Sequence, residues 1–210
     1  MSKASELPTV VSELIIASGN QGKLAEFQVL LSPLGLRVRS QAEFGIAAPP
    51  EPHPTFLENA LLKARHASAA TGLPALADDS GICVLALGGA PGVHSARFSQ
   101  LAGGEAGDVA NNRLLVERLG GIADRRAHYY CVLVLVRSEF DPQPLIADAI
   151  WSGEVIDMPR GHGGFGYDPH FYLPAHGCSA AELSARQKNS LSHRAQALNV
   201  LVAKLREQWL

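Results

Sequence analysis

Apolar and polar positions alternate along the chain in short, well-punctuated segments. Leu14-Ile15-Ile16-Ala17 is a brief apolar run, read as a strand, that breaks into Ser18-Gly19-Asn20-Gln21-Gly22. Beyond it Leu24, Phe27, Leu31 and Leu34 recur at helical spacing and face inward, with Gly35 as the stop. A strand over residues 36–40 and a Pro-rich loop over 47–54 lead to Thr55-x-x-Glu58, a capping box that opens a long helix ending at Gly72. Residues 74–78 and 82–85 read as two strands around Asp79-Ser80-Gly81, and 88–92 as a cluster of turns. Asp108 is expected to cap a helix carrying Leu114, Leu115 and Leu119. Strands follow over 128–136, 145–151 and 153–158, then a Gly-rich loop over 161–168. Ser179-x-x-Glu182 caps a short helix. A last amphipathic helix from about Ser192 turns Leu198, Leu201, Leu205 and Trp209 inward. Strands and helices alternate without strict β-α-β repetition, so the expected fold class is α/β with a mixed central sheet flanked by helices.

Composition narrows the functional classes. The 210 residues are 47% hydrophobic and 18% charged, which suits a globular chain and excludes a disordered one. A formal net charge of -2 argues against coating nucleic acid or an anionic membrane. The three cysteines, Cys83, Cys131 and Cys178, lie far apart without a C-x-x-C pair, which disfavours a disulfide framework or zinc knuckle and makes a reducing cytoplasm the expectation. The first residues lack the basic start and long apolar core of a signal peptide, and the longest apolar run, 129–136, is too short for a membrane span. The expectation is a soluble, unexported protein.

Four segments carry candidate chemistry. Ser18, Gly19, Asn20, Gln21, Gly22 and Lys23 form a strand-to-helix turn whose backbone N–H groups and single Lys suit a phosphate, although the spacing is too short for a Walker loop. An ordinary glycine turn with a solvated Lys is the plain alternative. Asp78 and Asp79 are adjacent carboxylates in a strand context that disfavours Asp, and alternation prevents both from pointing one way. With Glu51 in the Pro-rich loop, Asp79 would suit Mg²⁺, which takes about one or two carboxylates and completes its shell with water and phosphate oxygens. The loop from Gly161 formally contains G-x-G-x-x-G, but Asp168-Pro169 continue it as extended chain, so the dinucleotide reading fails. Phe165 instead offers a ring for stacking and Asp168 an acceptor for a ring N–H, against the alternative of a tight loop whose Phe fills the core. Lys188, His193 and Arg194 cluster cations around the start of the last helix, where Ser192 is a natural N-cap. The remaining histidines, His66 and His128 among them, lack metal-ligand spacing.

Taken in order, Ser18-Gly19-Asn20-x-Gly22-Lys23, Thr55-Phe56-x-Glu58-Asn59-Ala60-x-x-Lys63-Ala64, Ala77-Asp78-Asp79-Ser80-Gly81, Gly89-Ala90-Pro91-Gly92, Ser95-Ala96-Arg97, Gly163-Gly164-Phe165-Gly166-Tyr167-Asp168-Pro169 and Ser192-His193-Arg194 resemble the non-canonical purine nucleoside triphosphate pyrophosphatases, the inosine/xanthosine triphosphate pyrophosphatase family. The likeness runs from about residue 14 to 205. It implies one domain over 14–210 preceded by an extension over 1–13, and a fold of two lobes with the active-site cleft between them. It implies Mg²⁺-dependent hydrolysis of ITP, dITP and XTP to the monophosphate and pyrophosphate by a cytoplasmic homodimer, with no nucleic-acid or membrane partner. Residue by residue, Ser18 to Lys23 would hold the triphosphate, and Asp79 would be the catalytic residue and a metal ligand beside Glu51. Ser80 would touch substrate. Phe165, Gly166, Tyr167 and Asp168 would meet the base, with Lys188, His193 and Arg194 completing the pocket. Two departures stand out: His53 where the family has Gly in E-x-G-x-T-F, and Ala195 where Gly commonly follows His-Arg.

Base choice would follow from donor matching. A 6-oxo purine shows an O6 acceptor and an N1–H donor, whereas adenine shows a 6-amino donor and a bare N1. Lys188 aimed at O6 and Asp168 at N1–H would reject ATP by leaving buried polar groups unpaired. The element that rejects GTP is not identified in the sequence. Rival readings are a pyrophosphatase for modified pyrimidine or methylated nucleotides, and a nucleotide sensor without turnover.

Overall fold

The computed structural model describes residues 13–209, so residues 1–12 of the expected extension lie outside it. Glu13 already belongs to the first strand, β1 (Glu13–Ile16). Asn20 then accepts the Lys23 N–H and starts α1 (Gln21–Leu31), whose Leu24, Phe27 and Leu31 are buried. Leu34 falls past the helix end in a short 3-10 turn and is not buried, contrary to the four-residue stripe expected. Next come β2 (Arg37–Ser40) and α2 (Phe56–Thr71), the latter capped by Thr55 and closed by Gly72.

The two strands expected around Asp79-Ser80-Gly81 are one ten-residue strand, β3 (Ala75–Val84). Gly81 marks a close approach and not a turn: a Cβ there would collide with the Gly92 carbonyl oxygen and Ser95 Oγ. After α3 (Phe98–Leu101) comes α4 (Asp108–Arg118). Its N-cap is Gly107, which corrects the expectation that Asp108 caps it; the Asp108 side chain is engaged elsewhere.

β4 (Arg126–Val136) and β5 (Leu145–Val155) follow, and β5 absorbs residues expected to form a separate strand after 151. From residue 131 onward β4 is buried at every position, the mark of a strand covered on both faces, whereas β5 alternates. The chain ends with β6 (Phe171–Leu173), β7 (Cys178–Ser179), α5 (Ala185–Leu191) and α6 (His193–Gln208). Helix α5, capped by Ser184, has no counterpart in the sequence expectations.

The strands make a seven-stranded sheet in the order β2-β1-β3-β4-β5-β6-β7. β1 is parallel to β2 and β3, while β6 is antiparallel to β5 and β7, so the sheet is mixed as expected. The chain divides into two compact units. One holds the described residues up to Asp79, Val132–Asp148 and those from Ala197 onward; the other holds Ser80–Cys131 and Ala149–Gln196. The first buries Leu14, Ile15 and Ile16 of β1 with Phe27, Ala64 and Leu76, and with the α6 stripe Leu198, Leu201, Leu205 and Trp209. The second is built on Ile82, Leu115, Tyr129, Trp151 and Phe171, with the Tyr129 and Phe171 rings edge to face at 4.6 Å. No described helix is long and apolar enough to cross a membrane.

Candidate functional site

In the first unit, the end of β1 delivers Ser18 into the turn before α1. Asn20 takes the Lys23 N–H at 3.1 Å and Ser18 Oγ takes the Asn20 N–H at 3.2 Å, so both side chains are spent on shaping the turn. Gly19, Asn20 and Gln21 are exposed and Gly22 lies in the first helical turn, where backbone N–H groups point outward without intrahelical partners. Lys23 pairs with the fully buried Asp78 carboxylate.

Its neighbour Asp79 pairs with a different lysine. Lys63 Nζ lies 2.7 Å from Asp79 Oδ1 and 3.0 Å from Glu51 Oε1, so two carboxylates from distant segments converge on one ammonium group. Burial works against the Lys63 charge, but the carboxylates of Asp79 and Glu51 outweigh it and hold the ammonium above its usual range. Burial pushes Asp79 upward more than Lys63 and Lys23 pull it down, and Glu51 adds a smaller push in the same direction. Asp79 Oδ2 is buried and has no hydrogen-bond partner.

Lys63 is the residue that sequence reasoning quoted within a motif but gave no role. Its signal was present: α2 buries Asn59, Ala60, Lys63, Ala64 and Ala67, so a lysine sits on the buried stripe. The same stripe fixes the Glu51 loop. The Asn59 side chain accepts the His53 N–H and donates to the His53 carbonyl, both at 3.1 Å. No described non-glycine residue has positive φ, so His53 replaces the family glycine without backbone strain.

In the second unit, Asp168 is 2% exposed and is the hub. Its Oδ2 accepts from Lys188 Nζ at 2.6 Å and the Phe165 N–H at 2.9 Å, and its Oδ1 from the Tyr129 hydroxyl at 3.3 Å. Gly164 makes room for this: any Cβ would run into the Asp168 carboxylate, and its φ of 74° suits glycine. Lys188 and Asp168 thus pair with each other, an arrangement the sequence did not foresee.

Lys188 Nζ also stands 4.5 Å above the Phe165 ring, and Arg194 Cζ lies 5.9 Å from it. Arg194 is 1% exposed and its Nη2 donates to Ser80 Oγ at 3.1 Å. The His193 ring stacks on Tyr129 at 4.7 Å and 5°. Burial, and next the charge of Asp168, hold the Tyr129 hydroxyl far above its ordinary range, so it stays a neutral donor. Tyr167 is raised too, chiefly by burial, and donates to the Ser95 carbonyl at 2.8 Å. Structure therefore gathers Ser80, Phe165, Asp168, Lys188 and Arg194 into one network with His193 against its Tyr129 wall. Tyr129 was missed because a Tyr in a buried strand reads as core.

Residues 14–204 match the model of the Ham1 family. The dITP/XTP pyrophosphatase of Ralstonia nicotianae is 67% identical over 193 residues, spanning 92% of this chain and 96% of its own length. That of Chromobacterium violaceum is 65% identical over 92% of this chain and 97% of its own. Among solved structures, a HAM1 protein from Coxiella burnetii superposes with a TM-score of 0.85 at 47% identity, covering 93% of this chain and 98% of that one. The nucleoside-triphosphatase, dITP/XTP pyrophosphatase, from Mycobacterium abscessus gives 0.72 at 36%, covering 92% and 99%.

Proposed function

Because the chain belongs to the Ham1 family, we propose that it is a nucleoside triphosphate pyrophosphatase that hydrolyses non-canonical purine nucleotides, ITP, dITP and XTP, to the monophosphate and pyrophosphate. The observation that carries this reading is the convergence of Asp79 and Glu51 on one cationic position, with Asp79 Oδ2 left over. Two hard carboxylates from distant segments fit Mg²⁺, which takes about one or two carboxylates and completes its shell with water and phosphate oxygens. Asp79 and Glu51 would hold the ion, which when bound supplies positive charge to the phosphate oxygens.

The chain's own groups supply the rest. Lys23 and the N–H groups of the Ser18–Gly22 turn bind the triphosphate. Asp79 orients the attacking water, or takes its proton, at Oδ2; burial makes this carboxylate more basic than usual, which suits a proton acceptor. The water oxygen bonds to the α-phosphorus, the α–β bridging bond breaks, and pyrophosphate leaves. Phe165 offers its ring to the base, the Lys188 ammonium donates to O6, and the Asp168 carboxylate accepts from N1–H. Cytoplasmic location, a homodimer, and a single functional domain over 14–210 are carried over from the family resemblance.

The test is pyrophosphate release from ITP, XTP, dITP, GTP and ATP, with Mg²⁺ and with EDTA. Metal-dependent turnover of the first three with little from the others is the expected result. Release from all five would discard the base-pocket account but keep the hydrolysis. No release from any would leave a binding protein or another nucleotide class.

A further inference from the structure

Helix α4 sends two side chains to a single residue of the Gly-rich loop. Asp108 Oδ2 accepts the Gly166 N–H at 2.7 Å, and Asn112 Nδ2 donates to the Gly166 carbonyl at 2.8 Å. The partners are 58 and 54 residues apart, so neither bond is a local turn device. Asn112 is buried, and its Nδ2 also reaches the Asp108 carbonyl at 2.8 Å, which fixes the amide by two acceptors. Gly166 lies between β5 and β6 in neither helix nor strand, and here two side chains stand in for the missing ladder.

Gly166 sits within the run assigned to the base, between Phe165 and Asp168. The Phe165 N–H is already committed to Asp168 Oδ2, so a turn of the 165–166 peptide would move the Phe165 ring and disturb Asp168 together. We propose that Asp108 and Asn112 form a positioning clamp that fixes the Gly166 backbone and thereby the pose of Phe165 and Asp168 toward the purine; this rests on the base-pocket reading given above. Neither residue touches substrate in this scheme. The clamp acts on the fraction of molecules whose loop is ready to bind, and apparent affinity falls in proportion to that fraction.

The experiment is steady-state hydrolysis of ITP by full-length Asp108→Ala, Asp108→Asn and Asn112→Ala, each in wild-type and Phe165→Ala backgrounds, with thermal unfolding in parallel. If the competent loop falls to about one tenth, Asp108→Ala and Asn112→Ala each raise KM about tenfold while kcat stays within about twofold. Asp108→Asn, whose amide oxygen still accepts the Gly166 N–H, returns most of the KM although it too loses the charge at the helix start. In the Phe165→Ala background Asp108→Ala raises KM by clearly less than about tenfold, because one of the two groups it positions is gone. Wild-type KM in Asp108→Ala, an equal effect in both backgrounds, or a failed rescue by Asp108→Asn would each overturn the clamp. Phe165→Ala with unchanged KM would instead overturn the base-pocket reading, and the clamp with it.

Discussion

Lys63→Met removes the ammonium group between Glu51 and Asp79 while keeping most of the side-chain volume. The three side chains are 9%, 22% and 9% exposed, so the triad is largely out of water. Deleting one partner of a fully buried ion pair costs about 3–5 kcal/mol. Two features reduce that here. Glu51 keeps some contact with solvent, and Asp79, already raised by burial, is able to take up a proton instead of remaining charged. The expected loss at neutral pH is therefore about 2–3 kcal/mol, below the fully buried range.

The pH dependence has a definite sign. A carboxyl whose folded pKa is raised binds more protons folded than unfolded, so stability falls as pH rises from the ordinary carboxylate range through the folded pKa. Without Lys63 that slope steepens, and the loss shrinks in acid, where both states are protonated. Urea unfolding followed by Trp151 and Trp209 fluorescence, at about pH 4 and about pH 7, reads this directly. If Mg²⁺ is held by the same carboxylates, as proposed, adding it should restore stability by about 2.7 kcal/mol at about one hundred times its dissociation constant. A variant as stable as the wild type at neutral pH without metal would refute the electrostatic argument. A loss equal at both pH values would assign it to packing.

Asp79→Asn should lower kcat by about 10²–10⁴-fold with an unchanged circular dichroism spectrum, and near-normal turnover would remove Asp79 from its role. Gly81→Ala forces a methyl against the Gly92 carbonyl and Ser95 Oγ, which also accepts the Ile82 N–H at 3.0 Å. We expect a loss of about 1–3 kcal/mol, seen calorimetrically as roughly 2–4 °C in Tm per kcal/mol; an unchanged Tm would show that Ser95 moves freely. Asp141, fully buried, accepts from Arg137 Nη2 at 2.8 Å and from the backbone N–H groups of Arg137 and Gln143 at 2.9 Å. Burial opposes its charge, but these donors prevail and hold its pKa low. That stabilisation is present above the unfolded carboxylate pKa and is lost as pH falls through the folded one. Asp141→Asn should therefore cost about 1–3 kcal/mol at neutral pH and little in strong acid; equal losses in both would refute the linkage.

Local chemistry made much of this protein readable before any coordinates. Thr55 and Gly72 mark the ends of α2 because caps and left-handed stops act within a few residues, and the α6 stripe is buried because helical periodicity alone sets which side faces inward. The adjacent aspartates, the Ser18–Lys23 turn and the Ser192-His193-Arg194 start were visible for the same reason: each is unusual in its immediate context. Tertiary structure decided the partners. Asp79 meets Lys63 and not a turn, Asp168 spends its oxygens on Lys188, Phe165 and Tyr129, and Asp108 leaves its own helix start for Gly166. Gly81 continues β3 because Gly92 and Ser95 arrive beside it. Apart from the Phe165 N–H, these pairings join groups more than ten residues apart, and a side chain's propensity carries no information about what a distant segment brings to it. The residue types at the site follow from sequence; their charge balance, and the groups that hold them in place, follow only from the fold.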